Sequence, residues 1–210
     1  MARSWQWDLV ASALGLLLII VGAFGAWVPH ETSALTVTGI ELVEFAKFFP
    51  QVQSGVIPIV RESFAFPVLT GAVTIAVLAH WNTQKIHWRV LLTGLALVMA
   101  LAAVPPLQFL RAQEYRRQLI LSLSGIILIL LTPLVRAVPN RIRGAIVALL
   151  TLIGAALPTW QFYQLRPLVV ELYDAPVAPG WGLVAFSAGS VLLFGSSLLY
   201  AIRRERVPRF

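Results

Sequence analysis

Long apolar runs, nearly free of charge, occupy six places along this chain: 8–28, 64–81, 89–110, 118–137, 144–163 and 181–202. About 20 apolar residues, at about 1.5 Å each, span a hydrocarbon core of about 30 Å, and a helix satisfies its own backbone there. The pattern predicts an all-α integral membrane protein, one polytopic domain over 1–210, with six transmembrane helices. The first run contains Ala23-Phe24-Gly25, a small-x-small pattern of the kind cleaved after a signal peptide. Its apolar stretch exceeds the 7–15 residues of such a segment, so a retained span is the reading.

Between the first two runs lies the sizeable polar interruption, the loop 29–63. Within it Thr38-Gly39-Ile40-Glu41 reads as a capping box opening a helix that ends before Pro50. Glu41, Glu44 and Lys47 recur every three positions as one narrow polar stripe, with apolar residues around the remainder. That suits a short interfacial helix, flat on the membrane or wedged against the bundle. Pro167 to Tyr173 is a second short apolar segment, with Glu171 and Asp174 near its end, and the two would form a small lid.

Runs three and five end alike. Residues 102–109 (AAVPPLQF) and 155–162 (AALPTWQF) agree at five of eight positions, and the first run ends in the looser Ala26-Trp27-Val28-Pro29. The even runs each carry a small-residue step, Thr70-Gly71, Ser124-Gly125 and Ala188-Gly189. Three hairpin repeats are therefore expected. Mitochondrial carriers share that plan, but the acidic and basic residues that follow their prolines are missing here. Rhomboid proteases need a Gly-x-Ser-Gly on the fourth span and a histidine on the sixth. Ser122-Leu123-Ser124-Gly125 lacks the first glycine and the sixth run has no histidine, which excludes that enzyme.

Charge then orients the chain. With the amino terminus inside, the inner face holds ten basic residues (Arg3, Lys85, Arg89, Arg136, Arg141, Arg143 and the tail arginines 203, 204, 206 and 209) against Asp8 and Glu205. The outer face holds six against seven carboxylates. This is the positive-inside pattern, with both termini cytoplasmic in a plasma (inner) membrane. The net charge of +7 is thus a topology signal with contact to anionic headgroups, and nucleic acid is not an expected partner. Trp5, Trp7, Trp81 and Trp88 mark the inner boundary and Trp27, Trp160 and Trp181 the outer one. One loop dissents: Arg111, Arg116 and Arg117 fall outside, unless Pro105-Pro106 makes the hairpin 89–137 unusual.

Candidate chemistry is sparse. No ionisable residue sits mid-span, which argues against an ion-coupled pump. His30, Glu31, Glu41 and Glu44 could form an outer polar cluster, but their spacing matches no metal motif and solvated interfacial charges explain them. His80 and His87, beside Lys85 and Arg89, suit a headgroup-contacting loop. Hydroxyls within the runs have no base at their depth, so they read as helix-packing glue. With cysteine absent, no thiolate site exists, and no catalytic residue, cofactor or metal is expected. Small residues give the clearest faces: Gly22 with Ala26, Gly144 with Ala148, and Ala185, Gly189 and Ser196. They imply close helix approach, within the bundle or against a protein partner in the membrane.

The leading expectation is a non-catalytic subunit of a larger membrane assembly, which would turn small residues outward. A facilitator of an apolar or zwitterionic solute comes second and would show a polar-lined cavity around Thr70, Ser124 and Ser190. A lipid-processing enzyme comes third and would bring His30 within hydrogen-bond reach of a carboxylate.

Overall fold

The computed structural model describes residues 2–32, 35–82 and 85–202, with side chains from Val10 onward apart from Asn82. The arginines at 203, 204, 206 and 209, and the side chains of Trp5, Trp7 and Asp8, lie outside the described residues. Helix α1 (Ala2–Phe24) leads into a two-stranded antiparallel ribbon, β1 (Ala26–Val28) and β2 (Val37–Thr38). Two single-turn helices follow, α2 (Leu42–Phe45) and α3 (Pro50–Gln53). The long helices α4 (Phe66–Asn82), α5 (Ile86–Ala102), α6 (Arg116–Leu131), α7 (Asn140–Tyr173) and α8 (Trp181–Ile202) complete the chain. Among the described residues, four helical segments are long and apolar enough to cross a membrane: Arg61–Trp81, Gln113–Ala137, Asn140–Tyr173 and Trp181–Ile202. Val10–Phe24 and Ile86–Ala102 are shorter apolar helices. The fold is all-α apart from the small ribbon.

α4 is the central element. It packs against α1, α5, α6 and α7, and 78% of its apolar window is buried, against 28% for the segment through α6. Its Val68, Ala72 and Ala76 are wholly inaccessible. The peripheral helices instead turn Leu14, Leu17, Val90, Val98, Ile127 and Val191 outward, as helices solvated by lipid tails do.

The small residues Gly22, Ala26, Gly144, Ala148, Gly189 and Ser196 face inward, and Ala185 is half-buried. α1 and α8 run antiparallel, with Ser12 Oγ 3.0 Å from Ser196 Oγ. A Cβ on Gly22 would lie 2.4 Å from the Phe186 nitrogen, and one on Gly189 would lie 2.5 Å from the Gly15 carbonyl oxygen. Gly15 and Gly22, like Gly182 and Gly189, are seven residues apart, so both pairs return to the same helix face after two turns. Gly144 meets Ser197 and Ala201 likewise, joining α7 to α8. The outward-turned small face expected of a subunit is therefore replaced by close approach inside the bundle.

Several expected boundaries move. The third run stops at Ala102 rather than 110. Pro106 forces Pro105 out of helical conformation, so two prolines in succession end the helix. The freed Ala103 carbonyl accepts bonds from Gln118 Nε2 at 3.0 Å and Ser122 Oγ at 2.8 Å. A single proline behaves differently: Pro158 and Pro167 both lie inside α7, which continues to Tyr173 and ends at a left-handed Asp174. Each costs one backbone bond, which packing tolerates. The matching endings of runs three and five thus adopt different structures, and Pro167–Tyr173 is the last part of α7 rather than a separate lid piece. The first helix ends at Phe24, and 26–28 becomes strand.

The loop 29–63 forms a cap on one end of the bundle. The capping box is made: Glu41 Oε2 accepts from the Thr38 amide (2.9 Å) and hydroxyl (2.8 Å), and the Glu41 amide reaches Thr38 Oγ1 at 3.4 Å. The helix after it is shorter than the pattern predicts, passing to a 3-10 turn over Ala46–Phe48. Leu42, Val43, Ala46 and Phe49 are buried, so the segment is wedged against the bundle rather than lying flat. The cap also closes the end of α1, since the amides of Ile40 and Gly39 bond the carbonyls of Ala23 and Gly25.

Trp27 corrects another expectation. Instead of meeting headgroups, it is wholly buried, donates Nε1 to the Gly22 carbonyl at 2.9 Å, and packs on Phe64, Phe162 and Phe186. Trp160 and Trp181 are exposed.

Candidate functional site

Three connections that are distant in sequence meet at the capped end. Lys47, between α2 and α3, reaches the turn preceding α6, where it bonds the Tyr115 hydroxyl and pairs with Glu114 at 3.3 Å. It also pairs with Glu44 at 2.6 Å. The Tyr115 hydroxyl donates to Glu44 Oε2 at 2.9 Å. Arg61, in the 3-10 turn leading to α4, donates to the Glu114 carbonyl and holds Glu62 at 3.5 Å. Both cations lie over the Tyr115 ring, at 4.3 and 5.6 Å from its centroid, while Phe109 stacks on that ring. Gln161 Oε1 fixes the approach to Arg61 by accepting the Val60 amide at 3.0 Å.

Beside this network lies an open vestibule of about 500 Å³, lined by Lys47, Arg61, Glu62, Glu114, Arg117 and Gln53, among others. Its wall is mixed in charge, with three cations and two carboxylates. Burial alone pulls the Lys47 ammonium down, but hydrogen bonds to Glu44, Tyr115 and Glu114 outweigh it, so its pKa lies above the ordinary 10.5. Glu62 is buried and tied to Arg61, which removes the cost of an isolated internal carboxylate. Arg117 is exposed and has no ion pair among the described residues.

The expected polar cluster is divided. Glu44 joins the vestibule network, whereas Glu41 is consumed by the capping box. His30 accepts the Thr32 amide on Nδ1 at 3.0 Å and packs edge-on against Tyr173, while Glu31 is exposed. His30 has no bonded carboxylate among the described residues, so the acid-base pair of the enzyme reading is not assembled. Ala26 is buried in β1, and Gly22, Gly189 and Ser196 lie in the α1–α8 contact that Ala185 borders. Sequence reasoning missed Arg61, Glu62, Glu114, Tyr115 and Arg117. For Glu114, Tyr115 and Arg117 the signal was the dissent of the 111–117 loop, whose arginines broke the charge pattern and which the structure places beside the 29–63 loop; Arg61 and Glu62 carried no local signal.

At mid-bundle, Thr70, Thr74, Thr151 and Ser190 do surround a cavity, but it measures about 10 Å³. That admits one water at most. Thr70, Thr151 and Ser190 give their hydroxyls to carbonyls of their own helices, at 2.6, 2.8 and 2.8 Å. Ser124 lies elsewhere, on an outward-facing crevice.

The other end of the bundle is basic. Lys85, Arg89, Arg136, Arg141 and Arg143 lie there, with Arg136 Nη2 3.1 Å from His80 Nδ1. Arg143 bonds the carbonyls of Arg136 and Val138, both at 2.7 Å. All carboxylates with described side chains belong to the capped end. Set against known protein families, curated proteins and solved structures, the chain matches none of them.

Proposed function

We propose that the protein crosses the membrane six times and acts without catalysis as a facilitator for an amphiphile with a charged or zwitterionic head, received at the capped end. The observation that carries this is the mixed-charge vestibule of about 500 Å³. Its cations and carboxylates complement a head bearing both signs. Because the cavity among Thr70, Thr74, Thr151 and Ser190 admits one water at most, the occupant is read as staying at the protein's flank rather than passing between those residues. Among the described side chains the capped end carries six basic residues against seven carboxylates and the other end five basic residues against none, and this difference in net charge supports an outward-facing cap with both termini cytoplasmic. The 17 residues of α5 reach about 25 Å and fit a short span, while the 34 of α7 reach about 51 Å and project beyond a bilayer core.

The test is reconstitution into vesicles carrying fluorescent phospholipids, zwitterionic in one set and anionic in another. Exchange between leaflets should exceed that of protein-free vesicles for at least one set. Rates equal to the protein-free control for both would remove the facilitator reading. A second reading, the accessory subunit, draws on Phe48, Val56 and Leu107, which stand 75%, 75% and 84% exposed around the cap. A stoichiometric partner retained in mild detergent, and lost on replacing these three by serine, would move that reading ahead.

A further inference from the structure

Directly beneath the vestibule a crevice runs down the flank between α4, α6 and α7. It has a volume of about 120 Å³ and is walled by Leu69, Val73, Leu121, Ser124, Leu128 and Ile153, among others. Nearly all of that wall is apolar; Ser124 spends its hydroxyl on the Ile120 carbonyl at 2.8 Å. The volume approaches that of an apolar cavity able to hold a benzene ring, so a short run of methylenes fits. Leu128 and Ile153 are about half exposed, so the crevice opens sideways, toward the face that lipid tails occupy.

Vestibule and crevice adjoin along α6, where the residues lining each lie one helical turn apart. Arg117, Leu121, Ser124 and Leu128 recur at helical spacing and share one face of α6. Arg117 lines the vestibule, while the other three line the crevice. Their eleven-residue separation is about 16 Å along the axis, roughly half of a hydrocarbon core of about 30 Å. An occupant with a charged head and a tail one leaflet long fits that shape.

The charge of the head follows from the pairing. Arg61 answers Glu62, and Lys47 is shared between Glu44 and Glu114, so Arg117 is the lining cation that has no ion pair among the described residues. Arg116 and Arg117 open α6, whose first turn holds no acidic residue and whose end has no side-chain cap. Glu114, in the turn just before them, is engaged by Lys47, and neither arginine has an ion pair among the described residues, so the positive charge at this helix end favours a further anion. We propose that an anionic phospholipid binds here, its phosphate between Arg117 and Arg61 and one acyl chain in the α4–α6–α7 crevice. This deepens, and rests on, the reading of the vestibule as the receiving site.

The full chain, purified in mild detergent, would be offered equal amounts of phosphatidylglycerol and phosphatidylcholine and examined by native mass spectrometry. Retention of phosphatidylglycerol should exceed that of phosphatidylcholine at least five-fold. Arg117→Glu, an exposed change, should abolish the preference, and Ser124→Phe, which fills the crevice, should reduce retention of both lipids at least five-fold. Glycerol 3-phosphate, which has the anion without the chains, should give no rise in melting temperature. Equal retention of both lipids by the parent protein would overturn the proposal. So would protection by glycerol 3-phosphate that Ser124→Phe leaves intact, because the site would then serve a soluble anion. Should phosphatidylglycerol bind selectively while vesicle exchange stays at the protein-free rate, the lipid site stands and the facilitator reading falls.

Discussion

Replacing Gly189 by alanine tests the α1–α8 contact against a control in the same helix. The added Cβ would lie 2.5 Å from the Gly15 carbonyl oxygen and 2.7 Å from the Ile19 nitrogen. Both are backbone atoms, so no side chain can rotate away and the helices must part by most of an ångström. At Gly195, also in α8, a Cβ would meet nothing within 4 Å. Alanine improves helix propensity by up to about 1 kcal/mol at either position, and that gain cancels between the two variants. The remaining difference is overpacking, about 3 kcal/mol when neither wall can yield. At about 2–4 °C per kcal/mol for a chain of this size, Gly189→Ala should melt about 6–12 °C below Gly195→Ala. Thermal unfolding of both variants in one detergent measures the gap. Equal melting temperatures would refute the claim that α1 and α8 meet through their glycines.

Further outcomes follow from the cap and the broken hairpin. Tyr115→Phe, which deletes the hydroxyl held by Lys47 and Glu44, should lower stability by about 1 kcal/mol, read as faster proteolysis within 29–63 before the bundle unfolds. Ser122→Ala should cost about 1 kcal/mol, because the buried Ala103 carbonyl is left with Gln118 alone; Ser124→Ala, whose hydroxyl is exposed and bonds its own helix, should change little in the same melt. Lys47 has its folded pKa raised above 10.5, so its stabilising effect is complete below 10.5 and disappears as pH rises through the folded value. The stability gap between the parent protein and Lys47→Met should therefore close in alkaline melts, and a gap that persisted well above that value would contradict the pairing.

Some of the candidate site was legible in the chain. Glu44 and Lys47 stood out as polar residues on a short apolar segment, and the Thr38–Glu41 bonds of the expected capping box form, although the helix itself begins at Leu42. The rest was not legible, because Tyr115 and Glu114 lie 68 and 67 residues from Lys47 and no local pattern couples them. The small residues were visible as faces, but a glycine stripe has the same sequence whether it meets its own bundle or a partner.

The sequence by itself determined that long helices form and that they are apolar enough for a membrane. These follow from backbone hydrogen bonding and side-chain solvation, which each segment settles within itself. Tertiary structure alone decided that α4 is enclosed and that α1 meets α8. It likewise decided that Pro158 stays inside a helix while Pro105 ends one, and that Trp27 is buried among phenylalanines rather than set among headgroups. Those outcomes depend on which surfaces come within van der Waals contact, and that is fixed by the closest backbone approach between helices far apart in the chain.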